Sequence, residues 1–266
     1  MSATRLEAWI SGVGVVGPGL VDWPSTRAVL AGEQAYLHQP TALVAPALLP
    51  AAERRRTGRA VRLALAVGLE AIADAELDPA QLATVFTSSG GDGENCHLIC
   101  EALASDDRQI SPTRFHNSVH NAPAGYWSIA TGAMAPSSCL CSFDASFAAG
   151  LFEAMVQATA DEAPVALLAY DTGYPEPLLA VRPIAEAFGV SMVISPRAPA
   201  RGWKLTAWLS DAPAQAMPDT TLEGLRQTIP AARALPLLQA LAGGKPTTVT
   251  LSAWDDVQLT IEVAAC

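Results

Sequence analysis

Long apolar runs are missing from this 266-residue sequence: none approaches the ~20 residues that a bilayer-spanning helix needs, so no membrane partner is expected. Net positive charge is missing as well. A formal net charge of -10 and an isoelectric point near 4.8 make the average surface repel nucleic acid and anionic membranes, which excludes both as expected partners. The five cysteines are an odd number and no signal peptide precedes Trp9, so the expectation is a reducing cytoplasm and not a disulfide framework. Repeats, low-complexity tracts and linkers are absent too, which leaves a single domain over residues 1–266 as the expected organisation. What is abundant is apolar material, 50% of residues against 16% charged, enough to bury a large core.

The chain is organised around Pro112 to Ala154. There SSCLCS, a run of small residues and hydroxyls, leads into the apolar repeat Phe147, Ala148, Gly150, Leu151 and Ala154, the pattern of a buried strand turning sharply into a buried helix. A side chain at such a turn sits at a helix N-terminus, where free N–H groups and the helix dipole favour a thiolate and developing negative charge.

On either side, strands and helices alternate. Leu6 to Val16 reads as a strand, Pro24 to Leu30 as a short helix, and Leu43 to Arg56 as irregular. Arg59 to Ala75 has apolar positions at helical spacing and reads as a long, buried helix; LATVFTSS, with its exit Gly90-Gly91-Asp92-Gly93, reads as a buried parallel strand. That succession is an α/β signature. Glu94 to Ala104 follows as a helix, Ala163 to Tyr170 as a buried strand and Leu178 to Phe188 as a short helix. SMVISP and WKLTAWLSD read as strands, the second alternating like an antiparallel edge strand. Thr221 to Ala242 reads as mixed helix broken by Pro230 and Pro236, and TTVTLSAWDDVQLTIEV as a hairpin turning at Asp255-Asp256.

Several local patterns suggest chemistry. Gly12, Gly14 and Gly17 match G-x-G-x-x-G, but a dinucleotide site needs a helix starting at the third glycine, and Pro18 and Gly19 follow instead. A strand-to-loop junction is expected there, with nucleotide binding as the alternative. Cys96 and Cys100 share a helix face with His97 about 100° away, so they read as packed apolar residues and no metal is expected. His116 and His120 stand at i, i+4, but Pro123 and the Asn residues argue against a continuous helix, which leaves a packed or interface role. Arg54, Arg55, Arg56, Arg59 and Arg62, the one compact basic run, read as a solvated helix face.

The same residues carry a family likeness. RLEAWISGVGVVGPGLVDWPSTRAVLAG resembles the opening of β-ketoacyl synthases, a strand V-x-I-T-G-x-G-V-V-S-P leading to a helix that ends L-x-x-G. RAVRLALAVGLEAIADAELDPAQLATVFTSSGGDG resembles their R-x-x-x-x-A helix and following strand. ISPTRFHNSVHNAPAGYWSIATGAMAP resembles their S-P-x-x-x-P segment, and SSCLCSFDASFAAGLFEA their nucleophile strand, turn and helix. Together these cover about residues 5 to 170 in order.

The resemblance implies a thiolase-like α/β half, a mixed five-stranded sheet between helix layers, with residues 1–205 as core and 206–266 as a divergent C-terminal β extension. It also implies that the segment around Phe115 to Trp127 lies at a dimer interface beside an acyl tunnel. Family members use a Cys nucleophile with two His, or His and Asn, and a Lys, much of it from a second half. Here no H-G-T-G-T, K-x-x-x-G-H or G-F-G-G motif follows, and no histidine follows His120. By residue type Cys141 is the nucleophile candidate; the family pattern counted back from Gly150 gives Ser142, and counted forward from Pro136 lands near Asp144. The expectation is a truncated, non-catalytic homologue resembling chain-length factors. It would pair with an active ketosynthase subunit and meet acyl carrier protein indirectly, without a cofactor, in aryl polyene or type II polyketide elongation. Phe115, His116, Val119, His120, Asn121 and Trp127 are the candidates for the interface and tunnel wall. The alternative is a small acyltransferase or thioesterase using Cys141 with His116 or His120 as base.

Overall fold

A computed structural model describes residues 4–266. In chain order its strands are β1 (Leu6–Val16), β2 (Ala83–Thr87), β3 (Ser137–Leu140), β4 (Val165–Asp171), β5 (Phe188–Ser195), β6 (Trp203–Ser210), β7 (Thr247–Leu251) and β8 (Gln258–Ala265). The helices are α1 (Trp23–Leu30), α2 (Ala51–Arg56), α3 (Arg59–Asp74), α4 (Gly93–Ala104), α5 (Pro112–His116), α6 (Ala122–Thr131), α7 (Ser146–Ala160), α8 (Leu178–Val181), α9 (Thr220–Thr228) and α10 (Leu235–Gly243). Among the described residues no helix is long and apolar enough to cross a membrane.

The strands form one eight-stranded mixed sheet in the order β3-β2-β4-β5-β1-β6-β8-β7. β2 runs parallel to both β3 and β4, and every other pairing is antiparallel. Along β4 the alternation of Val165, Leu167 and Ala169 with Ala166, Leu168 and Tyr170 sends successive side chains into two separate cores, which is why every residue of the strand is buried. One core lies under α3 and α6; the other lies under α1, α7, α10 and the 3-10 helix Pro230–Ala234.

The sheet corrects the expected strand count. β3-β2-β4-β5-β1 are the five expected strands, but β6 pairs with β1 from Leu6↔Ala207 to Ile10↔Trp203 and carries β8 and β7 into the same sheet. β6 is therefore interior and not an edge, and residue 205 falls inside it. The hairpin of β7 and β8 forms as expected, with Trp254 N–H bonded to Val257 O at its turn.

Other differences have local causes. Pro183 ends α8 after Val181, and Phe188 begins a strand. Pro236 sits in the first turn of α10, where a missing N–H costs nothing, so it starts that helix rather than breaking one. The stretch expected to be irregular contains α2. Cys96 and Cys100 are exposed, because α4 buries only Gly93 and Asn95.

The glycine pattern is a packing device. A Cβ on Gly12 would lie 2.1 Å from Ala71 O, and one on Gly14 would lie 2.2 Å from Val67 O, so bare backbone is what lets α3 rest on β1. Beyond Ile10 the pairing with β6 stops, and α3 carboxylates take over: Asp74 accepts from Val13 N (3.1 Å) and Glu70 from Val15 N (2.9 Å) and Trp23 N.

Candidate functional site

β3 leads through Cys141 and Ser142 into a 3-10 turn, Phe143–Ala145, and then α7. The turn presents Phe143, whose φ of +50° places it in the left-handed region that side chains avoid. Its ring is 62% exposed and carries no nucleophilic atom. Ser142 lies inside the turn, its N–H donating to Ser146 Oγ (3.0 Å), while that hydroxyl donates to Phe143 O (2.7 Å). Cys141 precedes the tip, with its thiol donating to Ser89 O at 3.2 Å.

The tip is held by charge. Asp144 accepts from Arg182 at 2.7 Å and from Arg233 at 3.1 Å, and the Arg182 guanidinium also lies 3.9 Å from the centre of the Phe143 ring. Below it Asp171, fully buried, accepts from Ser89 N (2.9 Å), Ser89 Oγ (2.6 Å), Ser88 Oγ (3.3 Å) and Ala231 N (2.8 Å). Burial pushes its carboxyl up, and the donors from Ser89, Ala231 and Ser88 oppose that. Through Arg233 and Ala231 the 3-10 helix Pro230–Ala234 is thus tied to both the turn and the exit of β2.

The structure splits the interface candidates. Phe115, His116, Val119 and Asn121 line one groove of about 490 Å³ together with Gly125 and Ile129. Phe115 and Val119 are 68% and 53% exposed, and His116 meets the Tyr126 ring edge-on at 6.1 Å. His120 points elsewhere, its Nε2 3.3 Å from Ser88 O, on the same loop that Cys141 touches. Trp127, at 1% exposure, does not line that groove: it stands edge-on to Phe86 at 6.3 Å, against Gly68, in the core. β3 is an edge strand of the sheet.

The arginine run divides within α2. Arg54 donates to Ala47 O (3.0 Å) and Leu49 O (2.9 Å), whereas Arg55, Arg56, Arg59 and Arg62 line a cavity of about 390 Å³ with Arg114, Asp92 and Asn95. Arg114, distant in sequence, completes a basic concavity that a run-based reading misses.

A profile of the family described as beta-ketoacyl synthase, N-terminal domain, matches residues 27–254. The chain belongs to that family. No curated protein sequence matches it. Among solved structures, this β-ketoacyl synthase domain is similar to a chain of "Ketosynthase (ApeO) in Complex with its Chain Length Factor (ApeC) from Xenorhabdus doucetiae". That likeness has TM-score 0.73 and 23% identity, over 97% of this chain and 99% of that one. It is similar to a chain of a type II polyketide synthase acyl-carrier protein in complex with its ketosynthase bound to the hexaketide (AntDE:AntF), with TM-score 0.73 and 12% identity over 99% and 100%. It is also similar to a chain of the ishigamide ketosynthase/chain length factor, with TM-score 0.69 and 12% identity over 98% and 99%. At such identities the likeness is one of fold, and that fold is thiolase-like.

Proposed function

We propose that this chain is a non-catalytic, chain-length-factor-like partner of an active β-ketoacyl synthase, shaping the acyl tunnel during aryl polyene or type II polyketide elongation in the cytoplasm. The observation that carries the proposal is Phe143 at the presented position of the strand-to-helix turn, a ring clamped by Arg182 where acyl transfer needs a thiolate. Docking is assigned to the apolar groove of α5 and α6 and to the edge strand β3, since an uncovered apolar groove and an unpaired sheet edge are each ready pairing surfaces. Phe115, Val119 and Asn121 would face the shared tunnel, with Trp127 as the rigid layer behind. Acyl carrier protein would meet this subunit indirectly, through the ketosynthase.

Co-expression with a cognate ketosynthase, size-exclusion chromatography and assay of product length test this. A stable heterodimer is expected, with chain length altered by substitutions at Phe115 or Val119. A monomeric chain that leaves product length untouched refutes it. The second reading, a small acyltransferase or thioesterase, is favoured by the approach of His120 and Cys141 to the same Ser88-Ser89 segment. Intact mass after incubation with an acyl carrier thioester separates the two: a stoichiometric adduct lost in Cys141→Ala supports the second.

A further inference from the structure

α4 is loosely seated. It buries only Gly93 and Asn95, and Asn95 is its tie to the next helix, receiving the Asp92 cap at its N–H (3.0 Å) and donating from Nδ2 to Arg114 O (2.9 Å) on α5. One turn along, Cys96 and Cys100 are both exposed on a shared face. Partial burial pushes the Cys96 thiol up, and the neighbouring Cys100 thiol adds to that, which disfavours a thiolate on Cys96 and casts it as the resolving partner. We propose that Cys96 and Cys100 are a peroxide-responsive dithiol whose oxidation alters the α5 side of the docking groove; this second half rests on the docking role proposed above.

The chemistry needs only hydrogen peroxide as oxidant. A thiolate of the pair attacks the peroxide oxygen, giving a sulfenic acid and hydroxide; the neighbouring thiol then displaces water. In sum, two thiols and one peroxide give one disulfide and two waters. Helix geometry sets the consequence. Residues at i, i+4 have Cα atoms roughly 6 Å apart, within disulfide range, but Cβ atoms about 5–6 Å apart, wider than the ~3.8 Å of a relaxed disulfide. The bond therefore closes only if that turn tightens by about 1–2 Å. A bond made under such strain is readily reduced, which suits a switch better than a permanent crosslink. The distortion falls on the turn that holds Asn95, and through Arg114 it reaches Phe115 and His116 of the groove.

The test treats the full chain, alone and with its ketosynthase, with hydrogen peroxide. Peptide mapping should find a loss of about 2 Da on the segment joining Cys96 and Cys100, reversed by dithiothreitol and absent in Cys96→Ser and Cys100→Ser. Amide exchange over residues 112–116 of the free chain should quicken about tenfold on oxidation in the parent and not in the variants. Docking should weaken about tenfold in parallel. Stepwise oxygen addition without linkage overturns the proposal, and so does a disulfide that leaves exchange on α5 unchanged. If the reduced chain binds no ketosynthase, the docking role fails, while the mapping and exchange results still decide the switch.

Discussion

Gly125→Leu separates stability from docking by moving them in opposite directions. Gly125 lies within α6 and on the wall of the groove, and a Cβ added there meets nothing within 4 Å. Glycine inside a helix is less favourable than alanine by ~0.8–1.0 kcal/mol, and leucine is nearly as good as alanine. The fold should therefore gain about 1 kcal/mol, and Tm should rise by about 2–4 °C for a chain of this size. In the groove of about 490 Å³ the new isobutyl group takes the place of a partner side chain. An apolar partner group kept out of its site forfeits ~1.5–3 kcal/mol, which weakens Kd by about 10- to 150-fold. Thermal unfolding of the chain alone and titration against the ketosynthase read the two effects independently, and Gly125→Ala should show the first with little of the second. A Gly125→Leu variant that docks as tightly as the parent while Tm rises would refute the assignment of this groove to the partner.

Other outcomes follow from the same geometry. Gly14→Ala places a Cβ 2.2 Å from Val67 O and forces α3 off β1, so a loss of about 1–3 kcal/mol is expected by thermal unfolding, and addition of dinucleotides should stabilise neither protein. Burial pushes the Glu70 carboxyl up to about 7, against the Trp23 and Val15 N–H groups that hold it and with help from Asp22 and Asp74. Because its folded value lies above its unfolded one, its contribution to stability is complete below about pH 4.5 and is lost as pH rises through about 7. Denaturant unfolding of the parent against Glu70→Gln across that window should show a stability difference that shrinks as pH rises. A difference independent of pH would count against a raised Glu70. Phe143→Cys should place a thiol at the tip of the turn that alkylates faster than Cys141, whose thiol is engaged with Ser89 O; equal rates by mass spectrometry would mean that residue 143 is not the presented position.

Where burial and periodicity reinforce each other, the fold was legible. The long helix of α3 and the strands β2 and β4 are each written as local apolar patterns, and their places match. The continuation of the sheet through β6 was not, because strand neighbours depend on register with β1, which lies nearly two hundred positions away and leaves no trace in the alternation of WKLTAWLS. Leu205 and Ala207 of that alternation enter the core, as they would whether the antiparallel strand lay inside the sheet or at its edge. The glycines carry a related ambiguity. Their spacing is that of a phosphate loop, yet the constraint on Gly12 and Gly14 comes from the α3 backbone pressed against them.

The turn after β3 marks where residue-type reasoning stops and geometry takes over. Counts from either side gave Ser142 and Asp144, and the left-handed residue is the one between them, Phe143. The disagreement between the two counts was itself the signal, since a strand shortened against a family pattern leaves its error at the turn. Cys141 drew attention because thiols are reactive, but reactivity follows position, and two residues before the tip its thiol faces a carbonyl. Nor could sequence pair Asp144 with Arg182 and Arg233, 38 and 89 positions away, although that double ion pair is what commits the turn. Both arginines are engaged by Asp144, and Arg182 also covers the Phe143 ring. A single Phe143→Cys would therefore place a thiol beside an arginine that now covers a ring, with Asp144 still holding both guanidinium groups.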